Sequence, residues 1–343
     1  MSAENGANQQ HKMQYVNLGK SGLKVSKLIL GCMQYGSGQD WMIPDHDEGI
    51  KQLKYAYDHG INTFDTANVY SSGESEVILG KFLKQHNIPR EGVVILTKTF
   101  GPDGKVEDKG PAGLVNNKGL SRKRIFASVQ GSLERLGLDY IDLLQVHRWD
   151  PETPFEETMQ ALHDVVQKGW VRYIGMSSCW AWQFQLMQQY AIQNRLTPFI
   201  SMQNQHSAMY REEEREMMPM LKYFGVGVIP WGPMAAGLLC RPFKDMNSTP
   251  RGANKQPDGR GQQPSDKLII DKVEEIAQRR GVSMAEVAIS WSCHCEWVTA
   301  PIVGIRSTER LDELIRGMQL ELSDEESKEI EGLYQPVNVR GHA

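Results

Sequence analysis

Short apolar segments alternate with amphipathic segments along most of the chain. The apolar segments are rich in Val and Ile, as is typical of buried parallel strands. Eight such runs occur, at residues 28–32, 61–65, 93–98, 141–147, 171–178, 199–205, 226–232 and 299–305. Most of them precede a stretch with apolar residues at helical spacing. This alternation predicts a parallel β/α architecture.

Local signals mark further elements between and before these runs. Segments 121–137 and 154–169 keep apolar residues at helical spacing, and each ends in glycine. Glycine at that position favours the end of a helix. Residues 14–28 alternate apolar and polar positions around two glycines, which predicts a β-hairpin near the N-terminus.

Two closed arrangements fit the alternation: an eight-stranded barrel and a doubly wound open sheet. A doubly wound dinucleotide-binding sheet normally carries G-x-G-x-x-G after its first strand. The chain has no such motif, and its first run continues as Gly-Cys-Met-Gln-Tyr-Gly at 31–36. We therefore predict an α/β fold, a TIM (β/α)8 barrel with an N-terminal β-hairpin and long loops at the C-terminal rim.

Two polar segments rich in Gly and Pro interrupt the pattern at 101–120 and 241–265. They follow the third and seventh barrel strands, on the rim where barrel enzymes carry their active sites. Each is either a lid or a tolerated surface insertion. We expect a disordered tail at 1–13, a single domain at 14–335 and a C-terminal tail at 336–343.

Composition narrows the class of protein. The 343 residues carry a net charge of −4, which argues against a protein built to hold nucleic acid or anionic membrane. No apolar run approaches the ~20 residues of a membrane span, and the N-terminal segment has no signal-like core. Five cysteines, an odd number, fit a reducing compartment. We expect a cytoplasmic protein with a small-molecule ligand; the oligomeric state stays undefined.

Ionisable residues close three neighbouring runs. Asp65, Lys98 and His147 end the second, third and fourth strands, and Tyr70 follows Asp65 by five residues. Taken singly, each has a structural explanation: a turn cap, a solvated strand end, a core histidine and a half-buried aromatic. Strand ends converge on one rim of a barrel, however, and the coincidence favours a site.

The four residue types suit acid catalysis near neutral pH. A Lys⁺ beside a tyrosine favours the phenolate and lowers the pKa of the phenol. Asp65 can hold that lysine in its charged form. His147 can donate a hydrogen bond to a carbonyl oxygen or exchange a proton with Tyr70. The set predicts a tyrosine general acid.

These residues and their flanks resemble the aldo-keto reductase family, most closely its fungal aryl-alcohol dehydrogenase-like members and the reductases of aromatic polyketide pathways. The resemblance covers residues 14 to 335. It rests on the stretches 60–83, 132–150, 169–178, 225–239 and 301–315.

The resemblance implies a barrel that binds NADPH or NADP⁺ extended across its rim. It assigns the catalytic tetrad to Asp65, Tyr70, Lys98 and His147. It places cofactor contacts at Gly31, Cys32, Met33, Asp65, Ser177, Ser178, Gln203, Trp231, Gly232, Pro233, Gly237, Leu238, Gly304, Arg306, Arg310 and Glu313.

Three positions depart from the family pattern. Ser178 stands where asparagine is common, Leu314 stands where an adenine-side asparagine is expected, and residues 304–306 replace a Lys-Ser phosphate pair. Instead of contacting the cofactor, Arg310 could form an ion pair with Glu313 along its own helix. These departures concern cofactor affinity rather than the chemistry.

The substrate is predicted to be an aromatic or bulky apolar carbonyl compound. We expect Tyr35, Trp41, Val69 and Trp149 to line its pocket, although the two tryptophans can equally pack loops on the barrel. We expect no metal site, because the Cys-His-Cys run at 293–295 is too tightly spaced for structural zinc.

The function that fits best is an NADPH-dependent carbonyl reductase. A second hypothesis is a regulatory cofactor-binding subunit similar to the β-subunits of potassium channels, which keep the same tetrad. A third is a barrel isomerase or lyase without a cofactor. Turnover of simple aldehydes, a stable channel complex and NADPH binding would separate the three.

Overall fold

The structure, a computed structural model, describes residues 13–105, 110–249 and 261–342. An antiparallel hairpin pairs strand β1 (Tyr15–Asn17) with β2 (Lys24–Ser26). Eight parallel strands form the second sheet of the described chain. They are β3 (Ile29–Gly31), β4 (Thr63–Asp65), β5 (Val94–Thr99), β6 (Ile141–Val146), β7 (Val171–Ser177), β8 (Phe199–Gln203), β9 (Gly227–Val228) and β10 (Ile302–Val303).

The parallel sheet curls into a barrel. Its strand order runs β10-β3-β4-β5-β6-β7-β8-β9, so β9 and β10 meet where the ring closes. There the Ile302 nitrogen donates a hydrogen bond to the Pro230 oxygen at 2.9 Å, and Trp231 bridges to Ile302. Each of the eight predicted runs contains one strand, so the predicted barrel is confirmed, although β9 and β10 are only two residues long.

Helices alternate with the strands and pack around the barrel. Those of the described residues are α1 (His46–Asp58), α2 (Glu74–Gln85), α3 (Arg122–Leu136), α4 (Phe155–Gln167), α5 (Ala181–Gln193), α6 (Met217–Phe224), α7 (Pro264–Arg280), α8 (Met284–His294), α9 (Thr308–Gln319) and α10 (Asp324–Glu331). Gly137 ends α3 at φ 64°, and Gly169 follows α4 at φ 77°. Both helices predicted from spacing and terminal glycines are confirmed.

The hairpin closes the N-terminal end of the barrel. Leu18 and Val25 are fully buried in one apolar cluster with residues at the start of barrel strands, such as Ile29 and Val94. Burying a side chain of this size contributes about 1.5–3 kcal/mol. The backbone of Gly19 lies so close to that of Gly225 that a Cβ on Gly19 would be 2.5 Å from the Gly225 oxygen. The opposite, C-terminal rim therefore stays available for a site.

Both chain ends differ from the predicted boundaries. Residues 1–12 lie outside the described chain, but Met13, assigned to the tail, is buried in the core. Residues 336–342 fold back, and the Arg340 nitrogen donates to the Tyr210 hydroxyl at 2.9 Å. Parts of both rim loops, 106–109 and 250–260, are outside the description. No helix in the described ranges has the length and apolarity to cross a membrane.

Candidate active site

The four candidate catalytic residues meet at the C-terminal rim. Asp65 ends β4, Lys98 lies near the end of β5 and His147 directly follows β6. Tyr70 begins a short turn after β4, in which Ser71 takes a left-handed φ of 48°. Asp65, Tyr70 and His147 line one cavity of about 560 Å³, and Lys98 is buried behind them.

Lys98 links the group. Its Nζ donates to Asp65 Oδ2 at 2.6 Å, to the Thr66 oxygen at 2.9 Å and to the Tyr70 hydroxyl at 3.1 Å. An ammonium group has three protons, so this lysine is fully satisfied. Its position and charge are therefore fixed by the protein.

The direction of the pKa shift of Tyr70 differs from the expectation. Burial raises the pKa of the phenol above its ordinary value, and the Lys98 charge offsets this only in part. We predicted a lowered pKa, but desolvation outweighs the neighbouring cation. Burial alone would lower the pKa of Lys98, but Asp65 and Tyr70 raise it. At neutral pH the site therefore holds a protonated phenol beside an ammonium group.

His147 is neutral at physiological pH. Burial lowers the pKa of its imidazole well below the ordinary value, and the charges of Lys98 and Arg148 act in the same direction. Its ring packs edge-on against Tyr70, with 5.9 Å between the ring centroids. A neutral imidazole in this place can donate a hydrogen bond without competing for the proton of Tyr70.

Two glutamines complete the surroundings of Asp65. Gln145 Nε2 and Gln203 Nε2 donate to Asp65 Oδ1 at 3.0 and 2.8 Å, so both oxygens of the carboxylate have partners. Gln145 and Gln203 also bond to each other at 2.8 Å. The carboxylate is held by three side chains from three strands.

Most of the predicted cofactor residues line the same cavity. The lining includes Gly31, Met33, Asp65, Ser177, Gln203, Trp231, Gly232, Pro233, Gly237, Gly304, Arg306, Arg310 and Glu313. They run from the tetrad along the loop after β9 to the start of α9. Such a distribution of lining residues suits an elongated ligand.

Several features of the cavity lining suit a nicotinamide cofactor. Gly232 and Gly237 adopt φ of 73° and 90°, so the loop after β9 turns tightly and exposes backbone. Arg306 and Arg310 lie at the start of α9, where free N–H groups favour a phosphate. A flat indole, Trp231, lies near the tetrad end.

Three predicted cofactor residues do not line the cavity. Cys32 and Leu238 are buried in the core. Ser178 is also buried, but it lies directly behind the lining: Trp231 Nε1 donates to Ser178 Oγ at 3.2 Å. Ser178 therefore contacts the cavity through Trp231, whereas Cys32 and Leu238 serve packing.

None of the four predicted substrate residues lines this cavity in the described structure. Tyr35 is fully buried, with its hydroxyl 3.5 Å from Gln52, so its side chain lies outside this cavity. Trp149 packs against Phe155 and Trp182, as expected if this tryptophan packs a loop on the barrel. The remaining two, Trp41 and Val69, are half-buried beside the rim.

The structure adds residues that sequence reasoning missed. Arg148 lines the cavity next to His147. Asn204 Oδ1 accepts a hydrogen bond from the Ser178 nitrogen at 2.9 Å, and its Nδ2 donates to the buried Glu213 at 2.5 Å. Asn204 follows Gln203 at the end of a strand, and this position could have identified it as a candidate site residue. Nothing in the sequence pattern singles out Glu213.

Cys295, from the run that we judged unsuited to a metal, lies near His206 and Glu214, with their ligand atoms within 4.8 Å. Arg211 donates twice to the same Glu214 carboxylate, at 2.8 and 2.7 Å. A guanidinium in that place opposes a cation. The carboxylate therefore already has a counter-ion.

A barrel that carries an Asp-Tyr-Lys-His group beside a cavity on its C-terminal rim is typical of oxidoreductases that use a nicotinamide cofactor. Residues 27–335 match the model of the Aldo/keto reductase family. The chain is a member of that family and an oxidoreductase, and the family as a whole uses nicotinamide cofactors.

Curated fungal relatives resemble the chain over nearly its whole length. It is 48% identical to versiconal hemiacetal acetate reductase of Aspergillus parasiticus, over 95% of the chain and 98% of that protein. It is 45% identical to aldo-keto reductase AFTS1 of Alternaria alternata, over 96% and 94%. A Schizosaccharomyces pombe protein whose name assigns it to the aryl-alcohol dehydrogenases is 46% identical, over 95% and 97%.

Proposed function

We propose that the protein uses NADPH to reduce an aldehyde, a ketone or a hemiacetal-masked carbonyl group to an alcohol, with Tyr70 as the proton donor. The observation that carries the proposal is the 3.1 Å hydrogen bond from Lys98 Nζ to the Tyr70 hydroxyl in a cavity lined by cofactor-type residues. When bound, the nicotinamide supplies the hydride that adds to the carbonyl carbon.

The protein's own groups handle the proton. Tyr70 donates its phenolic proton to the carbonyl oxygen as that oxygen gains negative charge. Lys98 stabilises the phenolate that remains, and Asp65 holds Lys98 in place. Neutral His147 donates a hydrogen bond that orients the carbonyl oxygen. Binding at this rim places donor and acceptor in contact, which removes much of the entropic barrier.

The substrate end of the cavity favours a flat or bulky apolar body. Met33, Trp231 and Met234 contribute apolar walls to this cavity, and such side chains are the usual walls of small-molecule pockets. The name of the Aspergillus relative, a hemiacetal acetate reductase, is in line with a masked aldehyde as substrate. Better efficiency on short sugars than on benzaldehyde-type carbonyls would contradict this part of the proposal.

The decisive variant is Tyr70→Phe. We expect it to lower kcat at least 10²–10⁴-fold, the usual contribution of a general acid, while NADPH still binds. Tyr55→Phe serves as the matched control, since the Tyr55 hydroxyl bonds to Asp312 away from the lined cavity. NADPH oxidation at wild-type rate by Tyr70→Phe would overturn the assignment.

The same measurements separate the other hypotheses. Multiple turnover with simple aldehydes supports the enzyme over a regulatory subunit of the channel β-subunit type. Quenching of NADPH fluorescence on mixing is incompatible with a cofactor-free isomerase or lyase.

A further inference from the structure

Arg148 occupies an unusual place in the site. It directly follows His147 at the end of β6, and it lines the cavity together with Tyr70 and His147. Its Nη1 donates to the His147 oxygen at 2.5 Å. A guanidinium presents five N–H groups, so most of them have no protein acceptor in the described chain.

Two other arginines with little exposed side chain, Arg124 and Arg135, have carboxylate partners. Arg124 pairs with Asp103 at 2.7 Å, and Arg135 pairs with Glu76 at 2.6 Å. For Arg148, the described residues offer no carboxylate oxygen within the 4.0 Å of an ion pair. A half-buried cation without a counter-ion is costly, so a cavity ligand with negative charge would gain from it.

We propose that Arg148 recognises a carboxylate group on the carbonyl substrate. The preferred substrates are then aldehydes or ketones that carry an acid group on an aromatic or apolar body. This inference rests on the proposed carbonyl reduction and adds the charge of the substrate to it.

The location of Arg148 supports a substrate contact rather than a cofactor phosphate contact. Its neighbours are the residues of the proton-transfer end, whereas Arg306 and Arg310 lie at the far end beside α9. Its charge also reaches the reacting groups, because it lowers the pKa of His147 along with burial and Lys98. An acid group bound here would place the rest of the molecule beside Tyr70.

Guanidinium and carboxylate match in geometry and charge. Two parallel N–H···O bonds form between the planar groups, and such bonds are stronger than neutral ones. In a partly desolvated cavity we expect the pair to improve kcat/KM by about ten- to a hundredfold.

The test compares two substrates of the same shape. We would measure kcat/KM with NADPH for 4-carboxybenzaldehyde and for its neutral methyl ester, in wild type, Arg148→Gln and Arg148→Lys. The wild type should prefer the acid at least tenfold. Arg148→Gln should bring the ratio close to one, and Arg148→Lys should keep part of it.

Arg241→Gln is the matched control. Arg241 also lines the cavity, but it donates to Thr249 Oγ1 at 2.7 Å on the loop after β9. This variant should leave the acid-to-ester ratio at its wild-type value. A wild type that reduces both compounds equally well would overturn the inference. A loss in Arg148→Gln that is equal for both compounds would do the same, and would assign Arg148 to electrostatic support of Tyr70.

A binding measurement separates failure of this inference from failure of the proposed function. If neither aldehyde is reduced, the proposed function fails. Titration of the protein with NADP⁺ and benzoate then tests the anion site directly. Benzoate binding that weakens at least tenfold in Arg148→Gln supports the site, and equal binding by both proteins rejects it.

Discussion

Lys98 Nζ donates a hydrogen bond to the phenolic oxygen of Tyr70 at 3.1 Å, and its ammonium group also lies 4.8 Å from the centre of the same ring. The cation therefore faces both the oxygen and the π-system of the residue proposed as the acid. Burial raises the pKa of Tyr70, and Lys98 is the main opposing influence. The reactivity of the phenol thus depends on one buried charge.

Lys98→Met should slow carbonyl reduction at least 10²-fold, because the phenolate left after proton transfer loses its counter-ion. The pKa of Tyr70 should rise further, so the alkaline limb of the pH–rate profile should move to higher pH. The measurement is kcat/KM across the pH range. Asp65→Asn should shift the limb the opposite way, to lower pH, because it removes a negative charge that raises the pKa of Tyr70. A Lys98→Met profile that overlays wild type would refute the coupling.

The pH dependence of the wild type follows from two shifts of opposite sign. Burial lowers the pKa of His147 well below its ordinary value, so this residue is neutral at pH 7. The pKa of Tyr70 is raised above its usual value of about 10, so the phenol keeps its proton through neutral pH. We expect kcat/KM to be flat between about pH 6 and 8, since neither group titrates there.

A transition near pH 6.5 that disappears in His147→Gln would contradict this expectation. The same variant should raise KM for the carbonyl substrate, because it changes the group that orients the oxygen.

Much of the site could be predicted because strand ends can be located in the sequence. Parallel barrel strands are buried on both faces, so they appear as continuous apolar runs whose last residues fall on one rim. That reasoning places Asp65, Lys98 and His147 correctly along the strands. It does not place the side chain of Tyr35, which is buried outside the cavity, since position after a strand does not tell which way a side chain points.

Other features depend on contacts that no local pattern encodes. Arg148 has the sequence signature of an ordinary exposed cation, and only the fold shows that it faces the cavity. The C-terminal segment lacks apolar periodicity, which is why we assigned it to a tail. Its position depends on single contacts with distant residues, such as that of Arg340 with Tyr210.

The C-terminal segment should support cofactor binding. His342 Nε2 lies 2.9 Å from Glu213, the carboxylate that accepts from Asn204, and Asn204 in turn accepts from the Ser178 nitrogen. Ser178 has a left-handed φ of 42°, a strained value that this bond helps to hold. Ser178 accepts the hydrogen bond of Trp231, so the chain of contacts ends at the cavity wall.

Deletion of residues 336–343 should raise the Kd for NADPH about three- to tenfold, the effect of losing about one net hydrogen bond. His342→Ala should have a smaller effect in the same direction. Fluorescence titration with NADPH measures both, and a thermal melt controls for unfolding. Unchanged affinity in the deletion variant would show that the segment does not act on the site.

The contact between α2 and α3 leaves no space for even one added methyl group. A Cβ on Gly80 of α2 would lie 2.4 Å from the backbone oxygen of Leu136. Alanine gains about 1 kcal/mol in helix propensity, but overpacking against backbone costs about 1–3 kcal/mol, so the clash wins. Gly80→Ala should therefore lower the free energy of unfolding in urea denaturation, by up to about 2 kcal/mol.

Gly131→Ala on α3 is the matched control for this prediction. A Cβ there would meet only the end of the Arg135 side chain, at 3.0 Å, which needs a shift of a few tenths of an ångström in a side chain rather than in backbone. This substitution should therefore be neutral or slightly stabilising. If both alanine variants had the same stability, the close helix contact would not be the cause.

Cofactor preference should depend on Arg306. NADPH and NADH differ by one phosphate on the adenosine ribose, so selectivity needs a cation or donors at that position. Arg306 lines the cavity just before α9 and has no carboxylate within 4.0 Å in the described chain, whereas Arg310 already donates to Glu313 at 2.6 Å. The nearby helix N-terminus adds free N–H groups. We therefore expect Arg306 to be the contact for a 2′-phosphate at this end of the cavity.

The wild type should bind NADPH at least tenfold more tightly than NADH, since a charged hydrogen bond contributes about 1.5–3 kcal/mol. Arg306→Ala should reduce that ratio about tenfold, mainly by weakening NADPH, because NADH has no phosphate to lose. Arg316→Gln is the control: it removes a charge from the same helix, but Arg316 pairs with Glu286 away from the lined cavity. Dissociation constants for both cofactors in the three proteins decide the matter. Equal wild-type affinities would defeat the preference for NADPH, and an unchanged ratio in Arg306→Ala would transfer the role to another group.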